Sequence, residues 1–278
     1  MVKPYLKWAG GKRQLLQIIK TFLPSRIEEY VYYEPFVGAG AVLFELQPKK
    51  AVINDFNSQL ILTYNVIKNN IDALVTKLYT HQRNNSREYY YDIRSQDRDI
   101  KYFTELSDVE KAARLIFMNK TCFNGLYRVN SQGLFNVPYG TYKNPRICEE
   151  DVLRAISAYL NNKDIYILNG DFSMATKNAN NSSFIYFDPP YHSADNSNFT
   201  GYQAGGFGES EQIRLRDNIL ELTENGAKCL LSNSDTDFIR EIYADKRFHI
   251  FTIQAKRLIN SNSSKRGEVN EVLIKNWN

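Results

Sequence analysis

Short β-prone apolar runs alternate along this chain with longer stretches whose apolar residues recur at helical spacing. Leu15, Ile18, Ile19 and Phe22 line one helical face that stops at Pro24. Val31 to Phe36 reads as a strand, Val42 to Leu46 as a helix, and Ala51-Val52-Ile53 as a second strand ending at Asn54-Asp55. Leu60, Tyr64 and Ile67 form a further helical face, and Asn70 is the expected cap of a helix carrying Ile71, Leu74 and Leu78. Arg83 to Arg98 is polar, rich in Tyr and Arg, and expected to be a solvated helix and loop. Ser107-Asp108-Val109-Glu110 has the form of a capping box and opens a helix through Leu115, Ile116 and Met118.

Another helix is expected near Glu149 to Leu160. Strands resume at Ile165 to Leu168 and Ser183 to Tyr186. Glu209 to Glu224 is an amphipathic helix ended by Asn225-Gly226. Lys228 to Leu231 and Phe248 to Ile253 are strands around a short helix, Asp235 to Tyr243, and Val269 to Trp277 alternates and closes the sheet. Strands centred near Tyr32, Val52, Ile167, Ile185, Leu230, Phe251 and Leu273, separated by helices, predict an α/β fold on a seven-stranded sheet. No strand pattern interrupts the run from Leu60 to Met118, and residues 59–160 read as a helical insert between the sheet-forming stretches 1–58 and 161–278.

Composition adds limits. The chain has 278 residues, 43% hydrophobic and 24% charged, a balance normal for a globular protein. A net charge of +4 permits a polyanionic partner without demanding one. Cys122, Cys148 and Cys229, with His81, His192 and His249, lack metal-ligand spacing and form no disulfide framework. No metal site, no membrane span and no signal peptide are expected, and an intracellular, cytoplasmic protein is.

The most unusual stretch is Phe187-Asp188-Pro189-Pro190-Tyr191, directly after an apolar strand. Two prolines lack amide hydrogens and stiffen the turn. The Asp188 carboxylate and the Pro189 carbonyl can then face one point, with the Tyr191 ring over it. Two acceptors and a flat ring suit a planar group bearing an NH2. Gripping both hydrogens frees the nitrogen lone pair and stabilises the positive charge that develops when nitrogen attacks a methyl group. The plain alternative is a rigid turn with a buried Tyr.

Three other stretches resemble parts of a nucleotide site. Gly11-Lys12 is not a phosphate loop, because the earlier Gly and the following Ser or Thr are missing. Trp8 beside a Gly pair, with Lys12 opening a helix, suits a ligand with a flat ring and a carboxylate; an N-terminal loop packed by Trp8 fits as well. Phe36-x-Gly38-x-Gly40 between strand and helix, with Asp55 at the tip of the second strand, is the arrangement that grips a ribose in α/β nucleotide-binding sheets. Asp171 could accept from an adenine amino group while Phe172 flanks the ring, or the pair could simply make a turn. Ser193 to Gly208, long and polar, could close over a substrate.

Residues 119–143 are dense in aromatic and polar side chains, with turn signals at Asn124-Gly125 and Gln132-Gly133. A hairpin here could enter a DNA groove, where Arg suits a guanine edge. On these residues alone, a surface hairpin with its own aromatic mini-core is the favoured reading.

Taken in order, Lys7-Trp8-Ala9-Gly10-Gly11-Lys12, the glycine turn, the 119–143 loop, Asp188-Pro189-Pro190-Tyr191 and Ser263-Ser264-Lys265-Arg266-Gly267 closely resemble the Dam-type DNA adenine methyltransferases. These transfer a methyl group from S-adenosyl-L-methionine to adenine within GATC. The resemblance implies a seven-stranded, Rossmann-like catalytic domain (1–58 and 161–278), a target-recognition insert (59–160) and double-stranded DNA as partner, with a monomer the expected state. It assigns the cofactor to Trp8, Lys12, Phe36, Gly38, Gly40, Asp55, Asp171, Phe172 and Asp188, and catalysis to Asp188, Pro189 and Tyr191. It puts Lys7 at the first guanine and Leu126, Arg128 and Pro138 on the far half of the site. Phe123 would be a wedge, Asn124 would lie by the unpaired thymine, and Asn136 and Lys143 would meet phosphates. Some members carry Tyr where this chain has Phe123, so stacking survives and a hydroxyl is lost. A target inside a duplex must be flipped out. Rival readings are amino methylation of cytosine or of a protein glutamine, and a DNA-binding module without catalysis.

Overall fold

Strands β1 (Val31–Glu34), β2 (Lys50–Asp55), β3 (Asp164–Asn169), β4 (Ser183–Phe187), β5 (Lys228–Ser234), β6 (His249–Lys256) and β7 (Glu268–Lys275) form one sheet in a computed structural model of the chain. The structure describes residues 1–8, 10–193, 206–256 and 268–278. Most of Ser193 to Gly208 and all of Asn260 to Gly267 lie outside the described residues.

The strand order is β3-β2-β1-β4-β5-β7-β6. β1 to β5 run parallel, and β7 lies antiparallel between β5 and β6. The last strand therefore inserts beside β5 and leaves β6 at the edge. Every residue of β4 is buried, as a central parallel strand covered on both faces requires. The chain winds outward from β1 in one direction through β2 and β3, and in the other through β4 and β5. The loops after β1 and β4 consequently leave the sheet side by side at the switch point where α/β sheets bind ligands.

Helix α1 (Leu16–Thr21) precedes the sheet and α2 (Ala41–Leu46) follows β1. Between β2 and β3 come α3 (Ser58–Asn69), α4 (Ile71–Asn84), α5 (Arg87–Ser95), α6 (Ile100–Glu105), α7 (Asp108–Thr121) and α8 (Glu150–Asn162). The remaining helices are α9 (Phe172–Thr176), α10 (Glu209–Glu224) and α11 (Asp237–Ile242). One apolar cluster joins Tyr32, Ile53 and Phe184 of the sheet to Leu60, Leu115 and Phe117 of the helices, so core packing runs unbroken into the helical block. A second cluster covers the opposite face through Leu215, Ile219 and Leu231.

Local chemistry accounts for many boundaries. Ser107 and Glu110 form the reciprocal capping box at the start of α7. Gly226 adopts φ 80° after α10, and Ala227 N–H bonds back to Leu222 C=O, a left-handed helix stop. Asn70 holds the expected N-cap place of α4, but not through a side-chain bond. Its amide closes α3 on Val66 C=O. The stretch expected to be solvated differs from expectation, because α5 buries Tyr90 and Ile93 and the following turn buries Asp97. Asp97 pairs with the buried Arg114 of α7 at 2.9 Å and accepts from Phe135 N–H at 2.9 Å. A buried carboxylate there is tolerated because it is both paired and hydrogen-bonded.

Candidate active site

Asp188 leaves the end of β4 beneath the sheet rim, where three other segments meet it. Lys12 Nζ lies 2.7 Å from Asp188 Oδ1, and Ser232 Oγ of β5 donates to the same oxygen at 2.9 Å. The Lys12 ammonium also donates to Gly10 C=O at 2.6 Å and sits 4.6 Å from the centre of the Tyr191 ring. Burial raises the Asp188 carboxyl above its usual value, while Lys12 and Ser232 hold it down. Tyr191 donates to Glu271 of β7 at 2.9 Å, and burial pushes its phenol well up, so it stays protonated. Carboxylate and ring thus converge on one positively charged nitrogen, which both faces attract.

Side chains from two other elements hold the turn's main chain. Gln212 of α10 donates to Pro190 C=O at 2.9 Å, and Asn233 of β5 accepts from His192 N–H at 3.1 Å. The two amides bond each other at 3.0 Å, and Ser234 Oγ donates to His192 C=O at 2.6 Å.

The glycine turn after β1 is shaped by Gly38 (φ 51°) and Gly40 (φ 74°). A Cβ on Gly38 would meet the Trp8 ring at 3.0 Å, and one on Gly40 would lie 2.7 Å from Tyr64 Oη. Asp55 accepts from Gly38 N–H at 3.0 Å and from Asn57 N–H at 2.9 Å, so its carboxylate is already used to brace this turn. Burial pushes its pKa to about 6, against those amides. Beneath the turn, Glu34 is buried and accepts from Tyr32 Oη at 2.8 Å; burial raises it to about 8, which leaves it protonated at neutral pH.

Beside the turn lies a cavity of about 410 Å³ walled by Phe36, Phe56, Phe172 and Phe207, with Asp171 and Arg214 at its polar edge. Arg214 grips Asp171 with two bonds, 2.9 and 2.7 Å, and lies over the Phe172 ring at 4.2 Å. That guanidinium holds the Asp171 carboxyl down to about 2. Aromatic walls and an ionised acceptor fit a purine nucleoside. Phe56, 53% exposed, adds a ring that follows directly on Asp55.

The 119–143 loop is an irregular arm rather than a regular hairpin. Among the described residues it has two isolated bridges, Cys122 with Tyr139 and Val129 with Phe135. Asn124 (φ 57°) and Gly125 (φ 67°) make its first bend. Tyr127, Phe135 and Val137 are buried inside it, an aromatic mini-core, while Phe123 is 50% exposed and Asn124, Pro138 and Lys143 also face outward. Phe123 N–H bonds Pro138 C=O at 2.9 Å, and Arg128 Nε donates to Asn136 Oδ1 at 2.7 Å. Leu126, Arg128 and Asn136 are half-buried between them. Asn119 ties the arm to the N-terminal segment through Lys7 N–H, Lys7 C=O and Gly125 C=O. Exposed Lys7 reaches Tyr142, and Trp8 stacks on Tyr127 at 5.0 Å.

Two groups of side chains therefore come together. Lys12, Asp188, Pro189 and Tyr191 form one. Lys7, Phe123, Asn124, Leu126, Arg128, Asn136, Pro138 and Lys143 share the arm and its neighbour. Phe36 and Asp171 line the cavity with Phe172, and Trp8, Gly38, Gly40 and Asp55 form the turn between. Sequence reasoning missed Ser232, Glu271, Gln212, Asn233, Arg214 and Asn119. The one local signal was Ser232-Asn233-Ser234, three buried polar residues ending an apolar strand. Among the described residues, no helix is long and apolar enough to cross a membrane, and no His, Cys, Asp and Glu side chains gather as for a metal ion.

Residues 8–259 match the family described as D12 class N6 adenine-specific DNA methyltransferase. The chain is 47% identical to a type II methyltransferase, M1.LlaDCHI, of Lactococcus lactis subsp. cremoris, over 99% of this chain and 96% of that one. It is 43% identical to the type II methyltransferase M.MjaIII of Methanocaldococcus jannaschii, over 99% of each. A DNA adenine methylase of Haemophilus influenzae is 34% identical, over 98% of this chain and 92% of that one.

Proposed function

The chain belongs to the D12 class N6 adenine-specific DNA methyltransferases, and from that premise we propose that it methylates adenine within GATC in double-stranded DNA, drawing the target base out of the duplex to Asp188. S-adenosyl-L-methionine, when bound, supplies a methyl group on a positively charged sulfur. The cavity and the glycine turn suit its nucleoside: Phe36 and Phe172 would flank the ring, Asp171 would accept from the amino group, and Asp55, which braces the glycine turn, would border the ribose. Trp8 and Lys12 border its amino-acid end.

The remaining chemistry belongs to this chain. Asp188 and the Pro189 carbonyl accept the two hydrogens of the adenine amino group, and the Tyr191 ring stacks on the base. The nitrogen lone pair, freed from the ring, would be aimed at the methyl carbon of the bound donor, whose sulfur would leave with the carbon–sulfur electron pair. Asp188 stabilises the positive nitrogen and can take the proton it sheds. Glu271 keeps the Tyr191 ring in place through its hydroxyl.

The helical insert 59–160 recognises the site. Phe123 fills the gap left by the extruded base, offsetting part of an unpairing cost of roughly a few kcal/mol. Arg128, Leu126 and Pro138 read base edges with Lys7, Asn124 lies by the orphaned thymine, and Asn136 and Lys143 hold phosphates.

The observation that carries this reading is the convergence of Asp188 and the Tyr191 ring on a single cationic nitrogen, beside an aromatic cavity with an ionised acceptor. Incubation with unmethylated DNA and S-adenosyl-L-methionine, followed by sequencing-based mapping of modified bases, tests it. N6-methyladenine confined to GATC supports the proposal. N4-methylcytosine, or adenine methylation without that sequence context, overturns the corresponding part.

A further inference from the structure

The turn that follows β4 cannot secure itself. Pro189 and Pro190 bring no amide hydrogens, so two of its peptide units have nothing to donate. Its anchoring comes from elsewhere. Gln212 Nε2 bonds Pro190 C=O, Asn233 Oδ1 takes His192 N–H, and Asn233 Nδ2 bonds Gln212 Oε1. Gln212 and Asn233 are both 0% exposed, so burying these amides is offset only because they are bonded to each other and to the turn. Of the two proline carbonyls, that of Pro190 is occupied. That of Pro189 has no hydrogen-bond partner among the described residues.

We propose that Gln212 and Asn233 are positioning residues for methyl transfer: by occupying the Pro190 carbonyl and the His192 amide, they orient the turn so that the Pro189 carbonyl remains to receive the substrate's amino hydrogen. The inference rests on the N6-methylation reading. It makes α10, whose Arg214 already borders the nucleoside cavity, part of what sets catalytic geometry as well.

Two variants separate positioning from simple stability. Gln212→Met removes donor and acceptor at similar volume. Gln212→Glu keeps the shape but can donate to Pro190 C=O only when its carboxyl is protonated. Gln212→Met is expected to lower kcat about a hundredfold, the cost of misplacing a reacting group by ~1 Å, with KM for DNA and cofactor within about twofold of the parent. Gln212→Glu should recover turnover as pH falls, a response that Gln212→Met and the parent lack. Should Gln212→Met fail to fold by circular dichroism, the pH response of Gln212→Glu carries the test alone. Unchanged kcat in a folded Gln212→Met, a loss confined to KM, or a Gln212→Glu variant without that pH response would overturn the inference. A parent enzyme that forms no N6-methyladenine would instead overturn the reading beneath it.

Discussion

The Lys12 ammonium stands 2.7 Å from Asp188 Oδ1 and 4.6 Å from the centre of the Tyr191 ring. A positive nitrogen is thus held by a carboxylate and a π face, and a methylated amino nitrogen carries the same charge as it forms. The fit between this corner of the protein and a cationic nitrogen is a property of the folded chain before any ligand arrives. On the proposed mechanism, an amino nitrogen that enters here takes the place of the Lys12 ammonium.

Asp188→Ala should abolish methyl transfer, by about a thousandfold or more, because it removes the charge that stabilises the transition state. The fold should survive, since β4 is buried through its apolar residues. Transfer of radiolabelled methyl groups to DNA, beside circular dichroism, checks both points; parental turnover in a folded variant would discard the mechanism.

Lys12→Met takes away the cation that holds the Asp188 carboxyl down against burial. Its pKa should rise further. Because Asp188 is proposed to act ionised, the acid limb of the kcat/KM profile, which reports the free enzyme, should move to higher pH than in the parent. An unmoved limb would mean that Lys12 does not set the ionisation of Asp188.

Glu34 titrates at about 8 in the fold because it is buried, against an ordinary value of 4.5. A raised acid binds its proton more tightly in the folded state. Its contribution to stability is therefore complete below pH 4.5 and is lost as pH rises through 8. Thermal unfolding between those limits should show a declining Tm in the parent and a flatter profile in Glu34→Gln, which keeps an acceptor for Tyr32. Identical profiles would place the decline on another group.

Arg214→Ala frees Asp171 and strips the cation from the Phe172 ring. The pair is partly solvated, so the effect should be modest: cofactor affinity about threefold to tenfold weaker, in line with ~1 kcal/mol for such pairs. Calorimetric titration with S-adenosyl-L-methionine measures it, and unchanged or tighter binding would show that Arg214 does not prepare the pocket.

Arg128→Ala should relax discrimination at one guanine by roughly 1–3 kcal/mol, the worth of a good Arg–guanine pair. Rates on duplexes altered at each position of GATC report it. A uniform loss across all sequences would assign Arg128 to the backbone instead.

A stiff turn after β4, a glycine turn after β1, Asp55 at the end of β2 and the Ser107 capping box were all readable in the amino-acid order. Each depends on neighbours a few residues away, and proline and glycine act on the backbone wherever they stand. Seven strands were readable for the same reason, since an apolar run limits itself. α5 was misjudged because its outcome lies outside local chemistry. Tyr90 and Ile93 turned a polar stretch into a packed one.

Tertiary structure alone decided which distant groups meet. Nothing near Asp188 in the chain names Lys12 or Ser232 as its partners, nor does Tyr191 announce Glu271, Asp171 announce Arg214, or Pro190 announce Gln212. Those pairings follow from the order in which strands assemble, with β1 beside β4 and β7 inserted against β5. Strand order is set by the burial of both sheet faces at once, a sum over many remote contacts that no short stretch of residues contains.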